Sequence, residues 1–240
     1  MTSSLKFNRV LLKISGEALL GDQEFGLDPA MVSQVCADVR SGIDLGAQVA
    51  LVVGGGNLFR GVALAAQGAD RVSGDHMGML ATVMNGIALK MELQKQGVDA
   101  SLLSAIPMPD ICETFSQRAS DAHLADGRVV IFVAGLGHPF LTTDTGAAMR
   151  AAEIGADVLM KATNVDGVYS ADPRKDPSAS RFDVIDHDDI LARGLQVLDT
   201  AAVALARDID IPIAVFSIHE SGQFAEILRG GGRFTLVKDR

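Results

Sequence analysis

VALVVGGGNLFRG, residues 49–61, is the stretch on which the fold turns. Five apolar residues suited to a strand run straight into three glycines, and Arg60 follows. Glycine has no Cβ, so it reaches positive φ cheaply and lets a ligand approach the backbone closely. A glycine run at the carboxyl end of a buried strand is where open α/β sheets keep their ligands. Backbone N–H groups together with a guanidinium suit a phosphate. Taken alone, the stretch reads equally well as a loose turn with a surface arginine.

Outward from it, strands and helices alternate. Residues 9–14 form a buried first strand with Lys13 at its carboxyl end, and Ser15-Gly16-Glu17 turn the chain. Asp28 and Pro29 supply an N-cap and an N1 proline. Val32, Val35, Cys36, Val39 and Ile43 then recur at helical spacing until Gly46. After the strand at 48–53 comes a long helix over about 75–96, for which Asp75 is a candidate cap. Its Met77, Met79, Leu80, Val83, Met84, Ile87, Leu89 and Met91 cover more than one face. A helix apolar nearly all round is buried, in the core or against another subunit. Further strands are expected at 99–104, 128–134, 156–161, 213–217 and 234–237. Helices are expected after Thr143 or Asp144 as cap, at 199–208 and at 223–229. The polar, proline-containing residues 170–189 read as a surface excursion. The alternation predicts an α/β fold in three layers, with a mostly parallel central sheet covered by helices on both faces.

Composition narrows the function. The 240 residues fit one large α/β domain or two small ones, and 48% hydrophobic content with 25 glycines is ample for a sizeable core with many tight turns. Aromatic content of 5% with no Trp, and a net charge of −9, argue against nucleic-acid binding through stacking or phosphate contacts. Cys36 and Cys112 lack CxxC spacing and read as buried free thiols in a reducing compartment. The N-terminus lacks a signal-peptide pattern, and no segment offers the ~18 uninterrupted apolar residues of a membrane span. The expectation is a cytoplasmic protein with no membrane partner.

Parallel strands point the same way, so their carboxyl ends gather along one edge. That edge collects Lys13-Ile14-Ser15-Gly16, the glycine loop, Gly135-Leu136-Gly137-His138-Pro139-Phe140-Leu141-Thr142-Thr143-Asp144, and Lys161-Ala162-Thr163-Asn164. The set is rich in anion donors and has no nucleophile–base pair, which suggests phosphoryl transfer. There is no GxxxxGK[ST] loop, no GxGxxG between strand and helix, and no zinc spacing. Each of these residues also has a plainer reading: Lys13 as a snorkelling strand-end lysine, Asp144 as a helix cap, Thr142 and Thr143 as turn residues. The same holds for Tyr169, the single tyrosine, as edge-strand packing.

VLLKISGEAL (10–19), VVGGGNLFRG (52–61), GDHMGMLATVMNG (74–86), SAIPM (104–108), AGLGHPFLTTD (134–144), KATNVDGVYSADPRKDP (161–177) and DTAAVALARD (199–208) together resemble bacterial-type uridylate (UMP) kinases of the amino acid kinase fold. The resemblance spans nearly the whole chain in collinear order. It implies transfer of the ATP γ-phosphoryl group to UMP, giving UDP and ADP in pyrimidine nucleotide synthesis, with Mg²⁺ held mainly by the phosphates and no protein metal site. It implies that Lys13, Ile14, Ser15 and Gly16 meet the ATP phosphates, with Gly56 and Arg60. Gly55, Asp75 and the loop Leu136, Gly137, His138, Pro139, Phe140, Leu141, Thr142 and Thr143 would hold UMP. Thr163, Asn164, Tyr169 and Asp172 would hold the ATP base and ribose. Lys13, Arg60 and Asp144 would carry catalysis, Asp144 by orienting Lys13 or a metal-bound water; Lys161 is a lesser candidate for charge neutralisation. A Cβ at Gly55 would occupy the space where the two phosphates meet. The resemblance also implies one domain over 1–240, with a lobe of about 1–160 for UMP and the ATP phosphates and a lobe of about 161–240 for the ATP nucleoside. Relatives are homohexamers activated by GTP and inhibited by UTP. The segment at 21–26 matches the activation region, but Gln94 and Ser101 stand where some relatives carry basic residues, while Arg128 remains. Two alternatives stand beside this reading: a nucleotide-sensing regulatory oligomer, and another enzyme of the fold phosphorylating a carboxylate or carbamate.

Overall fold

The computed structural model describes residues 5–59, 68, 70–173, 175–195 and 197–239. Strand β1 (Arg9–Ile14) sits near the middle of a nine-stranded sheet. Its other members are β2 (Gln48–Val53), β3 (Ala100–Ser104), β4 (Glu113–Thr114), β5 (Val129–Val133), β6 (Val158–Thr163), β7 (Val184–Ile185), β8 (Ile213–Ser217) and β9 (Thr235–Val237). The order is β4-β3-β5-β2-β1-β6-β8-β9-β7, and among the strand pairings of the described residues β8–β9 alone is antiparallel. The central strands are apolar over most of their length because both of their faces are covered, with Lys13 and Lys161 near the carboxyl ends of β1 and β6.

Alternation along each strand divides the core into two layers. Val10, Leu12, Ile14, Val49, Leu51 and Val53 face one side, while Leu11, Ala50 and Val52 face the other. The first side is covered by α1 (Pro29–Asp44), α2 (Arg71–Lys95) and α7 (Gln223–Leu228). The second is covered by α3 (Gln117–Ala125), α4 (Thr143–Glu153), α5 (His187–Arg193) and α6 (Thr200–Asp208). Asp28 caps α1 by accepting from Ala30 N at 2.8 Å, with Pro29 at the first position as expected. Cys36 and Cys112 are free and buried, and burial pushes the Cys36 thiol up to about 12. Among the described residues no helix is long and apolar enough to cross a membrane.

Four readings of the sequence need correction. The long helix begins at Arg71, and its cap is Asp70, which accepts from Ser73 N at 2.8 Å. Asp75 is therefore a second-turn residue, not a cap. The helix is also not buried all round in the single chain. Met79, Val83, Leu89 and Leu93 are buried, but Met77, Leu80, Met84 and Met91 are half-exposed or more. The cap of α4 is Thr142, because its backbone is still extended while Thr143 is already helical; its Oγ1 accepts from Asp144 N at 3.0 Å and Thr145 N at 3.3 Å. Finally, residues 170–189 carry β7 and the start of α5, and Tyr169 bridges antiparallel to Arg181. A two-residue strand has no period to read, so only its pairing with β9 reveals it. The same reason hid β4, and α3 was missed because just Ser120 and Leu124 of its polar sequence are buried.

Candidate active site

The order β5-β2-β1-β6 in parallel brings the predicted strand ends together on one edge. Register then makes a specific pair. Lys13 lies opposite Lys161 across β1 and β6, and both side chains share the face of Leu11 and Leu159. Two ammonium groups are thus placed side by side in a largely buried position. The carboxylate between them comes from the first turn of α4. Lys13 Nζ lies 2.5 Å from Asp144 Oδ1, and Lys161 Nζ lies 3.1 Å from Oδ2. Lys161 donates to Oδ2 and also to the Val197 carbonyl at 2.5 Å. Lys13 meets Oδ1 as a close ion pair, while Oδ2 is left to Lys161.

The electrostatics follow from this crowding. Burial acts to raise the Asp144 carboxyl, yet the charges of Lys13 and Lys161 outweigh it and hold the group below the ordinary carboxylate range. Lys161 is pushed down, first by burial and also by Lys13, against the pull of Asp144 and Asp199. The two directions are compatible because one carboxylate serves two ammonium groups. The cluster keeps one positive charge in excess, and it is suited to an incoming anion. The helix cap is Thr142, not Asp144, and Asp144 sits in the first turn reaching the lysines.

Beside the cluster a cleft of about 150 Å³ opens between the glycine loop, the start of α2 and the loop before α4. Of the residues expected at UMP, Gly55, Asp75, Leu136, His138, Leu141, Thr142 and Thr143 line it, and so does Gly56. The Asp75 carboxylate accepts from Arg71 Nε at 2.8 and 2.9 Å and from the Phe140 N–H at 2.8 Å. Phe140 has φ +70° and an exposed ring, over which the Arg71 guanidinium stands 5.6 Å from the centroid. Gly137 is also left-handed, at φ +75°. Pro139 completes the loop without lining the cleft.

The reason Gly55 must be glycine differs from the expectation. A Cβ there would meet the Gly78 carbonyl oxygen at 2.7 Å and the Ala81 Cβ at 2.9 Å. The space denied is that of α2, not of a ligand. At Gly56 the nearest atom would be Glu17 Cγ at 3.7 Å, so that position is open. Gly16 is where the β1 and β2 loops press together: its Cβ would lie 2.7 Å from Gly56 N and 2.9 Å from the Gly54 carbonyl oxygen. Ser15 accepts from Ala18 N at 3.2 Å, and Ile14 is buried in β1. Arg60 lies outside the described residues.

A second cavity, about 540 Å³, is lined by Lys161, Leu191, Val197, Asp199 and Val203 among others. Asp199 caps α6 through Ala202 N at 2.8 Å and also accepts from the Thr142 and Thr145 hydroxyls. The sequence pointed to neither Asp199 nor this cavity, although an aspartate before an alanine-rich run is readable as a cap. Thr163, Asn164, Tyr169 and Asp172 line neither cavity. Asn164 instead meets His219 Nε2 at 3.2 Å, and the Tyr169 hydroxyl donates to Asp166 at 2.6 Å.

The profile of the amino acid kinase family matches residues 8–217. Uridylate kinase of Mesorhizobium japonicum is 61% identical over 239 residues, covering all of both chains. That of Agrobacterium fabrum is 60% identical over 240 residues with the same coverage. In three dimensions the chain is similar to a UMP kinase from Bacillus anthracis, with TM-score 0.94 at 34% identity over 97% of this chain and 96% of that one. A UMP kinase from Ureaplasma parvum gives TM-score 0.91 at 33% identity over 97% and 99%. With a strand-end lysine pair sharing one helix-borne aspartate, and with full-length likeness in sequence and fold, the chain belongs to the amino acid kinase family, among its uridylate kinases.

Proposed function

We infer that the protein transfers the γ-phosphoryl group of ATP to UMP, yielding UDP and ADP. The carrying observation is the Lys13–Asp144–Lys161 cluster, with a cleft lined by the glycine loop and Thr143 and a larger cavity lined in part by Lys161. In this reading UMP occupies the cleft, with its phosphate towards Gly55 and its ribose towards Asp75. The donor approaches from the Lys161 side, its phosphates meeting Lys13, Ser15, Gly16, Gly56 and Arg60. Its nucleoside is held by the 161–240 lobe, where Thr163, Asn164, Tyr169 and Asp172 are the proposed contacts.

The chemistry needs no general base. The second pKa of a phosphate monoester is ~6, so the UMP phosphate is largely dianionic at neutral pH. Repulsion between two polyanions is the obstacle, and the excess positive charge of the lysine cluster offsets it where the phosphoryl group passes. Asp144, whose carboxyl the two lysines hold below the ordinary carboxylate range, is a weak base; its work is to keep both ammonium groups aimed at one point. Among the described residues no group of three or more His, Cys, Asp or Glu is placed to grip a metal. Mg²⁺ would ride on the ATP phosphates, where it would supply further charge neutralisation. We also propose a homohexamer, supported by the exposed Met77, Leu80, Met84 and Met91 of α2, with GTP and UTP as effectors.

A coupled assay with Mg-ATP and a panel of UMP, CMP, dTMP and acetylglutamate tests the reading. UDP from UMP alone is the expected result, and no turnover of UMP would refute it. Lys13→Ala should still bind UMP but lose turnover; full activity would remove Lys13 from the mechanism. The carboxylate- or carbamate-kinase reading has no observation in its favour, and the silent-sensor reading is disfavoured by the intact lysine cluster.

A further inference from the structure

The motif at 74–86 ends in Asn85-Gly86, and the kinase reading assigns neither residue. Gly86 has a packing reason: a Cβ there would lie 2.5 Å from Val133 Cγ1 and 2.7 Å from Leu102 Cδ1, so α2 can lie flat on β3 and β5. Asn85 has a different one. It is fully buried and faces Asn57 of the glycine loop, itself only 3% exposed. The two amides pair reciprocally. Asn85 Nδ2 donates to Asn57 Oδ1 at 2.6 Å and to the Gly54 carbonyl at 2.7 Å. Asn57 Nδ2 donates to Asn85 Oδ1 at 3.1 Å and to the Gly26 carbonyl at 2.7 Å.

Every amide hydrogen of the pair is thereby used, which is what a buried polar group requires. An apolar pair of similar size would pack this layer without any such demand. What the amides add is direction. They pin the Gly54 carbonyl to α2 and lie directly beneath Gly16, whose Cβ would sit 2.5 Å from Asn57 Oδ1. The backbone N–H of Gly54 is meanwhile fixed to the Ile14 carbonyl at 2.9 Å, so the loop is held from β1 and from α2 together.

We propose that Asn57 and Asn85 are positioning residues for phosphoryl transfer. Their amide pair sets the relation between the Ser15-Gly16 turn and the Gly54–Gly56 loop, and hence between donor and acceptor phosphates. The proposal rests on the kinase reading. It places the contribution of the pair in alignment of the two substrates, not in binding either one. Small misplacements of aligned reactants cost about 100-fold in rate.

The test begins with the unsubstituted full-length chain; if that forms no UDP from UMP, it is the kinase reading that fails. With activity established, Asn85→Leu and Asn57→Ala are compared by kcat, KM for UMP and for ATP, and thermal melting. The expected result is a folded protein whose kcat falls about 10- to 100-fold while both KM values stay near those of the unsubstituted enzyme. A folded variant with unchanged kcat overturns the proposal, as does a rise in KM with kcat intact. Should neither variant fold, the side-chain amide resonances of Asn57 and Asn85 in the ¹⁵N-labelled unsubstituted protein decide. They should shift when UMP and a non-hydrolysable Mg-ATP analogue bind together, but not with UMP alone. Resonances indifferent to the ternary complex overturn the proposal, since a pair that merely fills the core has no reason to respond.

Discussion

Replacing Asp144 by Asn keeps the shape of the side chain and removes one charge from the centre of the lysine cluster. At an effective dielectric of about 20, the contacts at 2.5 and 3.1 Å correspond to gross attractions of about 7 and 5 kcal/mol. Burial of all three groups opposes most of this, and removing one partner of a buried pair costs about 3–5 kcal/mol net. For a chain of this size that is a melting temperature about 6–20 °C lower. The loss is smaller to the extent that Lys161, already pushed down by burial, sheds its proton once its carboxylate is gone. Turnover should fall by about 100- to 1,000-fold, the usual effect of losing one preorganised electrostatic contact. Because the Asp144 pKa is depressed in the folded chain, its stabilisation is present above the unfolded value of about 3.9 and is lost as pH falls through the folded value. The gap in melting temperature between Asp144→Asn and the unsubstituted chain should therefore be full at pH 6–8 and narrow below about pH 4. Thermal melts over that range and UDP formation at neutral pH read both quantities. A variant that melts and turns over like the parent would refute the argument that Asp144 holds the two lysines.

Two further outcomes follow from the same geometry. Gly55→Ala forces a methyl group against the Gly78 carbonyl, and overpacking of this kind costs about 1–3 kcal/mol; a lower melting temperature and a raised KM for UMP are expected, and an unchanged melt would refute the packing account. With no general base in the mechanism, the acid limb of kcat/KM should lie at about 6 and belong to the acceptor phosphate. A phosphorothioate UMP of lower pKa should move that limb to lower pH, and a limb that stays in place would return proton abstraction to the protein.

Much of the sheet was legible from periodicity. Strands at 9–14, 48–53 and 213–217 coincide with β1, β2 and β8 because unbroken apolar runs ending in glycine or polar residues have few other uses. Short or polar elements were not legible. β4, β7 and α3 owe their existence to neighbours, and nothing in Glu113-Thr114 or Val184-Ile185 distinguishes a strand from a loop. At the site, the types of residue were readable but their grouping was less so. Thr143 and Asp144 read as the candidate caps, and backbone conformation selected Thr142 before them.

Local chemistry in the sequence was enough to establish an α/β chain with anion-binding strand ends, because glycine, lysine and apolar period are properties of neighbouring residues. It could also mark Lys13 and Asp144 as residues of interest. It could not say that β6 lies beside β1, and that adjacency decides the chemistry. Residues 148 positions apart become register partners, two ammonium groups come to share one face, and a carboxylate becomes necessary between them. Pairing across a sheet is a contest among all strands for the same edge, settled by packing of the whole core, and no short stretch of sequence contains its outcome.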